Sequence, residues 1–92
     1  MHPPLTPRSG PIIIQIDYRV ETERARDYYA AMQRLRSARL RSGAFGWTLA
    51  RDIVDPQLWT EQYGCPTWGD YLHQRDRMTL ADRALQDAAD AF

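Results

Sequence analysis

Residues 12–20, which read Ile-Ile-Ile-Gln-Ile-Asp-Tyr-Arg-Val, alternate between two chemically different faces. Successive side chains of a strand point to opposite sides of a sheet. One face carries Ile12, Ile14, Ile16, Tyr18 and Val20, and the other carries Ile13, Gln15, Asp17 and Arg19. This period of two, with its β-branched residues, predicts a strand that packs one side on a core.

A helix is predicted next, over residues 22–41. Its apolar residues keep the spacing of a single buried stripe: Ala25, Tyr28, Tyr29, Met32, Leu35 and Leu40. Acidic residues stand at its start, and four arginines stand at its end: Arg34, Arg36, Arg39 and Arg41. This order suits the helix dipole, so we interpret the arginines as a solvated helix end and Gly43 as the terminator.

Two further strands are predicted over residues 44–53 and 58–65, joined by a hairpin loop that contains Asp55-Pro56. Each alternates as the first strand does. The sets predicted to share a face are Phe45, Trp47 and Leu49 on one strand, and Trp59, Glu61, Tyr63 and Cys65 on the other.

Two short helices complete the predicted elements. Thr67-Trp-Gly-Asp70 has the spacing of a capping box and starts a helix that runs to about Arg77. Thr79-Leu-Ala-Asp82 repeats the pattern and starts a second helix, so the chain must bend near Met78.

The predicted order is strand, helix, strand, strand, helix, helix, which favours an α+β fold of the ferredoxin-like kind. The closing strand of that pattern is missing, because residues up to Phe92 keep helical spacing, and the first strand would be an unpaired edge. We expect residues 12–92 to form one domain. Residues 1–11, with four of the six prolines, are predicted to be a flexible tail or linker that includes His2.

Composition excludes several classes of function. The chain has 92 residues with 12 basic and 12 acidic side chains, and this zero net charge argues against nucleic acid as a partner. One cysteine cannot form an internal disulfide, and no cluster has the spacing of a metal site, so no metal or other cofactor is expected. No apolar run could cross a membrane and no signal peptide precedes the domain, so we expect a cytoplasmic location.

Three stretches carry a resemblance to a known family. Residues 39–52 form the first, Asp55-Pro56 with Trp59-Thr-Glu61 the second, and the third consists of Thr67-Trp68, Leu72, Gln74, Arg77, Thr79 and Ala81-Asp-Arg-Ala-Leu85. Together they resemble the C-terminal cytosolic domain of bacterial major-facilitator transporters of the secretion-effector, enterobactin-exporter-like family. The resemblance covers about residues 12–92 and implies a place at the inner face of the bacterial membrane. The transporters' transmembrane helices are absent from this sequence, so we expect a fragment or a stand-alone relative.

That domain is similar to the antibiotic-biosynthesis-monooxygenase superfamily. The similarity implies a ferredoxin-like monomer that pairs into a dimeric α+β barrel. Some members oxidise polycyclic aromatic substrates without metal or flavin, and others degrade haem with an Asn side chain that this chain, which contains no Asn, cannot supply. Members usually carry His in the second helix, where this chain has Tyr71 and Arg75.

An enzyme of that kind needs an apolar pocket and a base. The candidate catalytic residues are His73 and Tyr71, and the candidate pocket residues are Trp47, Tyr63 and Trp68. A structural interpretation competes with each of them. Tyr71 and His73 are two positions apart and diverge on a helix, Trp68 suits a core, and His73 suits a solvated face.

The competing function is a non-enzymatic accessory domain that associates with itself. Apolar residues occur on both faces of the first and third strands, Ile13 against Ile14 and Leu58 against Trp59. Two or three helices cannot cover both faces of a sheet in so small a chain. We therefore predict a homodimer that stacks one sheet on another, and the alternative is a cofactor-free monooxygenase or a binder of aromatic small molecules.

Overall fold

A computed structural model describes residues 5–76 and 78–92, so the predictions about His2 and Arg77 lie outside the described residues. The elements, in chain order, are strand β1 (Ile12–Arg19), a 3-10 turn (Thr22–Arg24), helix α1 (Ala25–Arg41), strands β2 (Phe45–Arg51) and β3 (Leu58–Cys65), and helices α2 (Trp68–Asp76) and α3 (Leu80–Asp90). This order confirms the predicted sequence of elements. The main difference is that the first turn of the predicted long helix is a 3-10 turn.

The three strands form one sheet in the order β1–β3–β2, and β3 is antiparallel to both neighbours. The register pairs Ile14 with Tyr63 and Leu49 with Glu61. Strands β1 and β2 are therefore parallel, and α1 is the crossover between them, which is the split βαβ unit of a ferredoxin-like fold. The α+β prediction is confirmed. Within the described residues no fourth strand pairs with β1, which lies at an edge of the sheet.

Capping residues mark the starts of α2 and α3, and a glycine marks the end of α1, as predicted. Thr79 accepts a hydrogen bond from the backbone N–H of Asp82, whose side chain accepts one in return from the Thr79 N–H. At the start of α2, Thr67 Oγ1 accepts a hydrogen bond from the Asp70 N–H and donates one to Asp70 Oδ2. Gly43 has a φ of +98° just after α1, a conformation that L side chains rarely adopt.

The core lies between one face of the sheet and the helices. The central residues of α1 are almost fully buried and pack against the sheet and α3: Tyr28, Met32 and Leu35. The predicted stripe is wrong at two positions, because Tyr29 and Leu40 are 52% and 38% exposed. The stripe continues instead through Ala38 and Arg39, both buried. The prediction that the four arginines at the end of α1 are solvated is therefore wrong for Arg39.

A bulge in β2 changes the predicted face of Phe45. Phe45 pairs with Gly64 and Thr48 with Gln62, so β2 has one more residue than β3 between these pairs. Gly46, with a φ of +62°, supplies the unusual conformation that the extra residue needs. Trp47 packs on the core, whereas the ring of Phe45 lies over Gly64 on the opposite face of the sheet.

The face of the sheet opposite the helices, here called the open face, is polar along its middle and apolar at one end. Its exposed polar residues are Gln15, Asp17, Arg19, Thr48 and Gln62. Ile13 and Phe45, which both pair with Gly64, are 56% and 45% exposed and form the apolar end.

Residues just before β1 contact the start of α2 directly. The backbone N–H groups of Trp68 and Gly69 donate hydrogen bonds to the carbonyl oxygens of Ser9 and Pro7, at 2.7 and 3.0 Å. The start of α2 is thereby tied to the segment before β1. The division of the chain into residues 1–11 and 12–92 stays a prediction.

Candidate functional site

The most completely buried charge among the described residues is Glu61, at the centre of β3. Its carboxylate oxygens accept four hydrogen bonds. The donors are Tyr18 Oη at 3.0 Å, Arg39 Nε at 3.0 Å, Arg39 Nη2 at 3.2 Å and Trp47 Nε1 at 2.8 Å. A carboxylate has about four acceptor positions, so Glu61 has none left for a substrate.

Gln86 closes these contacts into a ring. Arg39 Nη2 donates to Gln86 Oε1, and Gln86 Nε2 donates to Tyr18 Oη at 3.1 Å. Tyr18 in turn donates to Glu61, which pairs with Arg39. The ring, called the Glu61 network below, joins β1, β3, α1 and α3 through side chains only.

The electrostatics of the Glu61 network favour one protonation state. Burial lowers the pKa of Arg39, but the hydrogen bonds and negative charge of Glu61 outweigh burial and raise it. Burial raises the pKa of Tyr18 well above its usual range, and Glu61 adds to this rise. A general acid or base needs a pKa near the working pH. Neither Arg39 nor Tyr18 therefore suits proton transfer near neutral pH, and the four hydrogen bonds that Glu61 accepts leave it no free position for a substrate. We interpret the network as structural.

A crevice lies beside this network, between α1, α2 and β3, and it extends to the start of α3. Its volume is about 430 Å³ with the open mouth included, but the enclosed part is only about 40 Å³. The lining residues are Leu35, Ala38, Arg39, Ser42, Tyr63, Tyr71, Gln74, Arg75, Met78 and Asp82. Pockets for drug-sized ligands measure roughly 300–1,000 Å³, so the enclosed part has room for only a few water molecules.

The structure divides the five predicted site residues among three places. Tyr63 and Tyr71 line the crevice. Trp68 packs against Tyr71 with ring centroids 5.2 Å apart and ring planes tilted by 33°, and Trp47 donates a hydrogen bond to Glu61 of the Glu61 network. His73 is exposed and lines a different, wider groove with Arg41 and Asp70. The two candidate catalytic residues, Tyr71 and His73, thus line different cavities, and their catalytic role stays a prediction.

Gln74, which lines the crevice, also contacts Cys65 at the end of β3. Cys65 Sγ donates to Gln74 Oε1 at 3.6 Å, and burial raises the pKa of the Cys65 thiol. A buried thiol with a raised pKa is a poor nucleophile. Gln74 Nε2 is buried without a hydrogen-bond partner in the described residues.

The loop between β2 and β3, residues 52–57 and here called the hairpin tip, presents two of the most exposed apolar side chains of the described residues. Ile53 and Val54 are 99% and 86% exposed. Nevertheless, the backbone of the tip is held firmly. Asp52 Oδ2 accepts hydrogen bonds from the N–H groups of Val54 and Asp55 at 2.9 and 2.7 Å. Arg19 pairs with Asp55 at 2.9 Å and lowers the pKa of that carboxyl.

The Glu61 network was missed by the sequence interpretation, although a signal was present. Arg39 lies four positions after Leu35, on the buried stripe of α1, and Glu61 lies between Trp59 and Tyr63 on the inward face of β3. Charged residues are almost never fully buried unless paired. Two opposite charges on two inward faces therefore predict an ion pair.

Comparisons with known proteins agree with this fold. A family model described as transmembrane secretion effector matches residues 1–92. The chain is also similar to the crystal structure of a conserved protein from Methanosarcina mazei Go1, with a TM-score of 0.72 and 10% identity over 86% of this chain and 77% of that one. Identity this low establishes the fold alone. No curated protein matches the chain, and no helix of the described residues is both long and apolar enough to span a membrane.

Proposed function

Because the chain belongs to the transmembrane secretion effector family, we propose that it is a non-enzymatic accessory domain of a bacterial exporter, on the cytosolic side of the membrane, and that it forms a homodimer through its open face. The family match over residues 1–92 carries the first part of this proposal. Exposed apolar side chains at the end of the open face and at the hairpin tip support the second part.

The two faces of the sheet are buried to different extents, and this difference supports an association domain rather than an enzyme. The helix-covered face already packs into a core, and its buried charges saturate one another. The open face has no such cover in the described chain, and Ile13 and Phe45 lie on it side by side with large exposed areas. Clustered exposed apolar side chains mark protein contact surfaces more often than isolated ones do.

The second candidate function is a binder of aromatic small molecules, or a cofactor-free monooxygenase of the antibiotic-biosynthesis type. The adjacent rings of Trp68 and Tyr71, and Gln74 Nε2 without a partner in the described residues, favour a small ligand with a hydrogen-bond acceptor. The small enclosed volume of the crevice disfavours a polycyclic substrate. A relationship of this chain to the antibiotic-biosynthesis-monooxygenase superfamily is part of this second proposal.

Sedimentation equilibrium of the purified chain at micromolar concentration tests the first proposal. We expect a mass of twice 10.7 kDa. A stable monomer would refute the homodimer. Oxygen uptake with a polycyclic phenol, abolished in Tyr71→Ala and unchanged in Asp87→Ala on the exposed side of α3, would instead support the oxygenase.

A further inference from the structure

The charges of this chain are segregated along the sequence, although its net charge is zero. No acidic residue occurs between Asp27 and Asp52, and this stretch holds five arginines: Arg34, Arg36, Arg39, Arg41 and Arg51. From residue 52 onward, eight acidic residues accompany three arginines. A neutral protein whose charges are separated in this way can attract a charged partner to one side only.

The side of α1 that is turned away from the core carries exposed positive charge. At 3.6 residues per turn, Arg26, Arg34 and Arg36 lie on the half of the helix opposite its buried residues, and all three are exposed. Tyr29 and Leu40, which are 52% and 38% exposed, lie on the same half. These five residues are called the basic face below.

The charges of the basic face are not neutralised within the part of the chain that the structure describes. No described carboxylate oxygen lies within 4.0 Å of a guanidinium nitrogen of its three arginines, whereas the buried Arg39 pairs with Glu61. Asp27 is the only acidic residue of α1. An anionic partner would therefore be attracted without first displacing an existing ion pair.

The exposed acids of α3 lie on the other side of the helix layer. Gln86 of α3 donates to Tyr18 of β1, so α3 lies over the β1 edge of the sheet. Arg36 instead lies over an aromatic ring of β2, at the opposite edge. A surface that approaches α1 from the β2 side thus meets the arginines and avoids Asp87 and Asp90, both exposed on α3.

We propose that the basic face docks on the anionic headgroups of a lipid bilayer and orients the domain against the membrane without entering it. This step rests on the proposed position of the chain beside the membrane part of an exporter. Each arginine near an anionic bilayer strengthens binding about fivefold, so three of them give only weak attachment. Weak attachment is sufficient for a domain that is already held near the membrane, because its effective concentration there is high.

An acidic segment of another protein is the other partner that positive charge could attract. Bound peptides usually lie in grooves or along strand edges, whereas the outer surface of a helix is convex. A planar bilayer can contact such a surface along its length, and Arg26 and Arg36 are separated by about 15 Å along the helix. An exposed tyrosine such as Tyr29 also suits the level of the lipid headgroups. These features favour the bilayer.

Co-sedimentation with sucrose-loaded vesicles tests the proposal. The natural chain is mixed with vesicles of phosphatidylcholine alone, or of phosphatidylcholine with phosphatidylglycerol. We expect binding that requires phosphatidylglycerol and is lost at about 1 M salt, where the Debye length is only about 3 Å. The triple variant Arg26→Gln, Arg34→Gln and Arg36→Gln should bind about a hundredfold more weakly.

A second triple variant is the matched control. Arg8→Gln, Arg75→Gln and Arg83→Gln together remove the same charge from exposed positions outside α1, and this variant should keep most of its binding. An equal loss in both triple variants would show that net charge alone determines binding, and would overturn the proposal. Circular dichroism checks that both variants keep the fold.

An environment-sensitive dye identifies the side that meets the lipid without the loss of an arginine. A dye on Ser37→Cys, an exposed position of α1, should shift to shorter emission wavelength with phosphatidylglycerol vesicles, and a dye on Asp87→Cys should not. A response at Asp87→Cys alone, or no binding of the natural chain, would overturn the proposal.

Failure of lipid binding is distinguishable from failure of the proposed function. Absence of binding to phosphatidylglycerol vesicles would leave the homodimer intact, because sedimentation equilibrium tests that association without lipid. Binding of the natural chain to poly-glutamate but not to vesicles would overturn the membrane contact and assign the basic face to an acidic protein partner.

Discussion

Arg39 and Glu61 form a bidentate ion pair in the core, with Nε 3.0 Å from Oε2 and Nη2 3.2 Å from Oε1. The two side chains are 9% and 0% exposed. The desolvation of such a pair costs about as much free energy as its attraction returns, so its main effect is specificity. It fixes how α1 lies across β3, and Gln86 extends the same constraint to α3.

Removal of the Glu61 charge should be strongly destabilising. Glu61→Gln leaves Arg39 buried without its counterion, and we expect the free energy of unfolding to fall by about 3–5 kcal/mol. Urea denaturation followed by circular dichroism measures this change. The double variant Arg39→Met with Glu61→Leu should lose less than either single change, because no unpaired charge remains. A loss below about 1 kcal/mol for Glu61→Gln would contradict the importance of the pair.

Stability should fall steeply in alkali because buried tyrosines resist ionisation. Burial raises the pKa of Tyr63 to about 12, and it raises the pKa values of Tyr18 and Tyr28 as well. A phenol whose pKa is higher in the folded state stabilises fully below its unfolded pKa of about 10, and this contribution is lost as the pH rises through the folded value.

We therefore expect the unfolding free energy to decline from about pH 10 upward, by about 1.4 kcal/mol per pH unit for each such tyrosine. Urea denaturation at several pH values, with tyrosinate absorbance as a second signal, measures the slope. In Tyr63→Phe the decline of the unfolding free energy with pH should be smaller by the contribution of one tyrosine, about 1.4 kcal/mol per pH unit. An unchanged slope in that variant would show that Tyr63 ionises without unfolding.

The apolar end of the open face should contribute to association. Phe45→Asp places a charge beside Ile13, and we expect the dimer dissociation constant to rise at least tenfold, about 1.4 kcal/mol. Sedimentation equilibrium across a concentration series gives this constant. Leu80→Asp is the matched control, since Leu80 is 87% exposed on α3 and lies away from the sheet. An equal effect of both substitutions would argue against a specific interface.

Cys65 should react slowly in the native protein. Its side chain is fully buried, and burial raises the pKa of its thiol. Alkylation with iodoacetamide, followed by intact mass, should be incomplete after hours in buffer and complete within minutes in urea. Native alkylation as fast as that of the unfolded chain would show that the end of β3 opens readily.

The elements and their order were predictable because the signals for them are local. Alternation over residues 12–20 is a property of neighbouring positions, and so are the capping pairs Thr67 with Asp70 and Thr79 with Asp82. The split βαβ unit follows from the order of the elements, since a parallel pair of strands needs a crossover. The sheet order β1–β3–β2 is consistent with that reasoning.

The candidate site was less predictable because it depends on contacts between distant residues. Tyr18 and Glu61 are 43 positions apart, and Gln86 reaches Tyr18 across 68. The inward positions of Arg39 and Glu61 were indicated within their own elements, but no local period indicates that Tyr18 and Gln86 complete the ring. Tyr63 and Tyr71 line one crevice, but Trp47 donates a hydrogen bond to Glu61 and His73 lies in a separate groove.

The alternation of polar and apolar residues and the capping pairs thus determine the elements of an α+β domain, because each acts between neighbouring residues of one element. The order of these elements leaves β1 at the edge. The faces of individual side chains were fixed later, by packing. A single bulge at Gly46 moved Phe45 to the open face, because one inserted residue reverses the alternation of a strand. Likewise, Arg39 is buried because the chain brings Glu61 to it, and an isolated guanidinium would have remained in water.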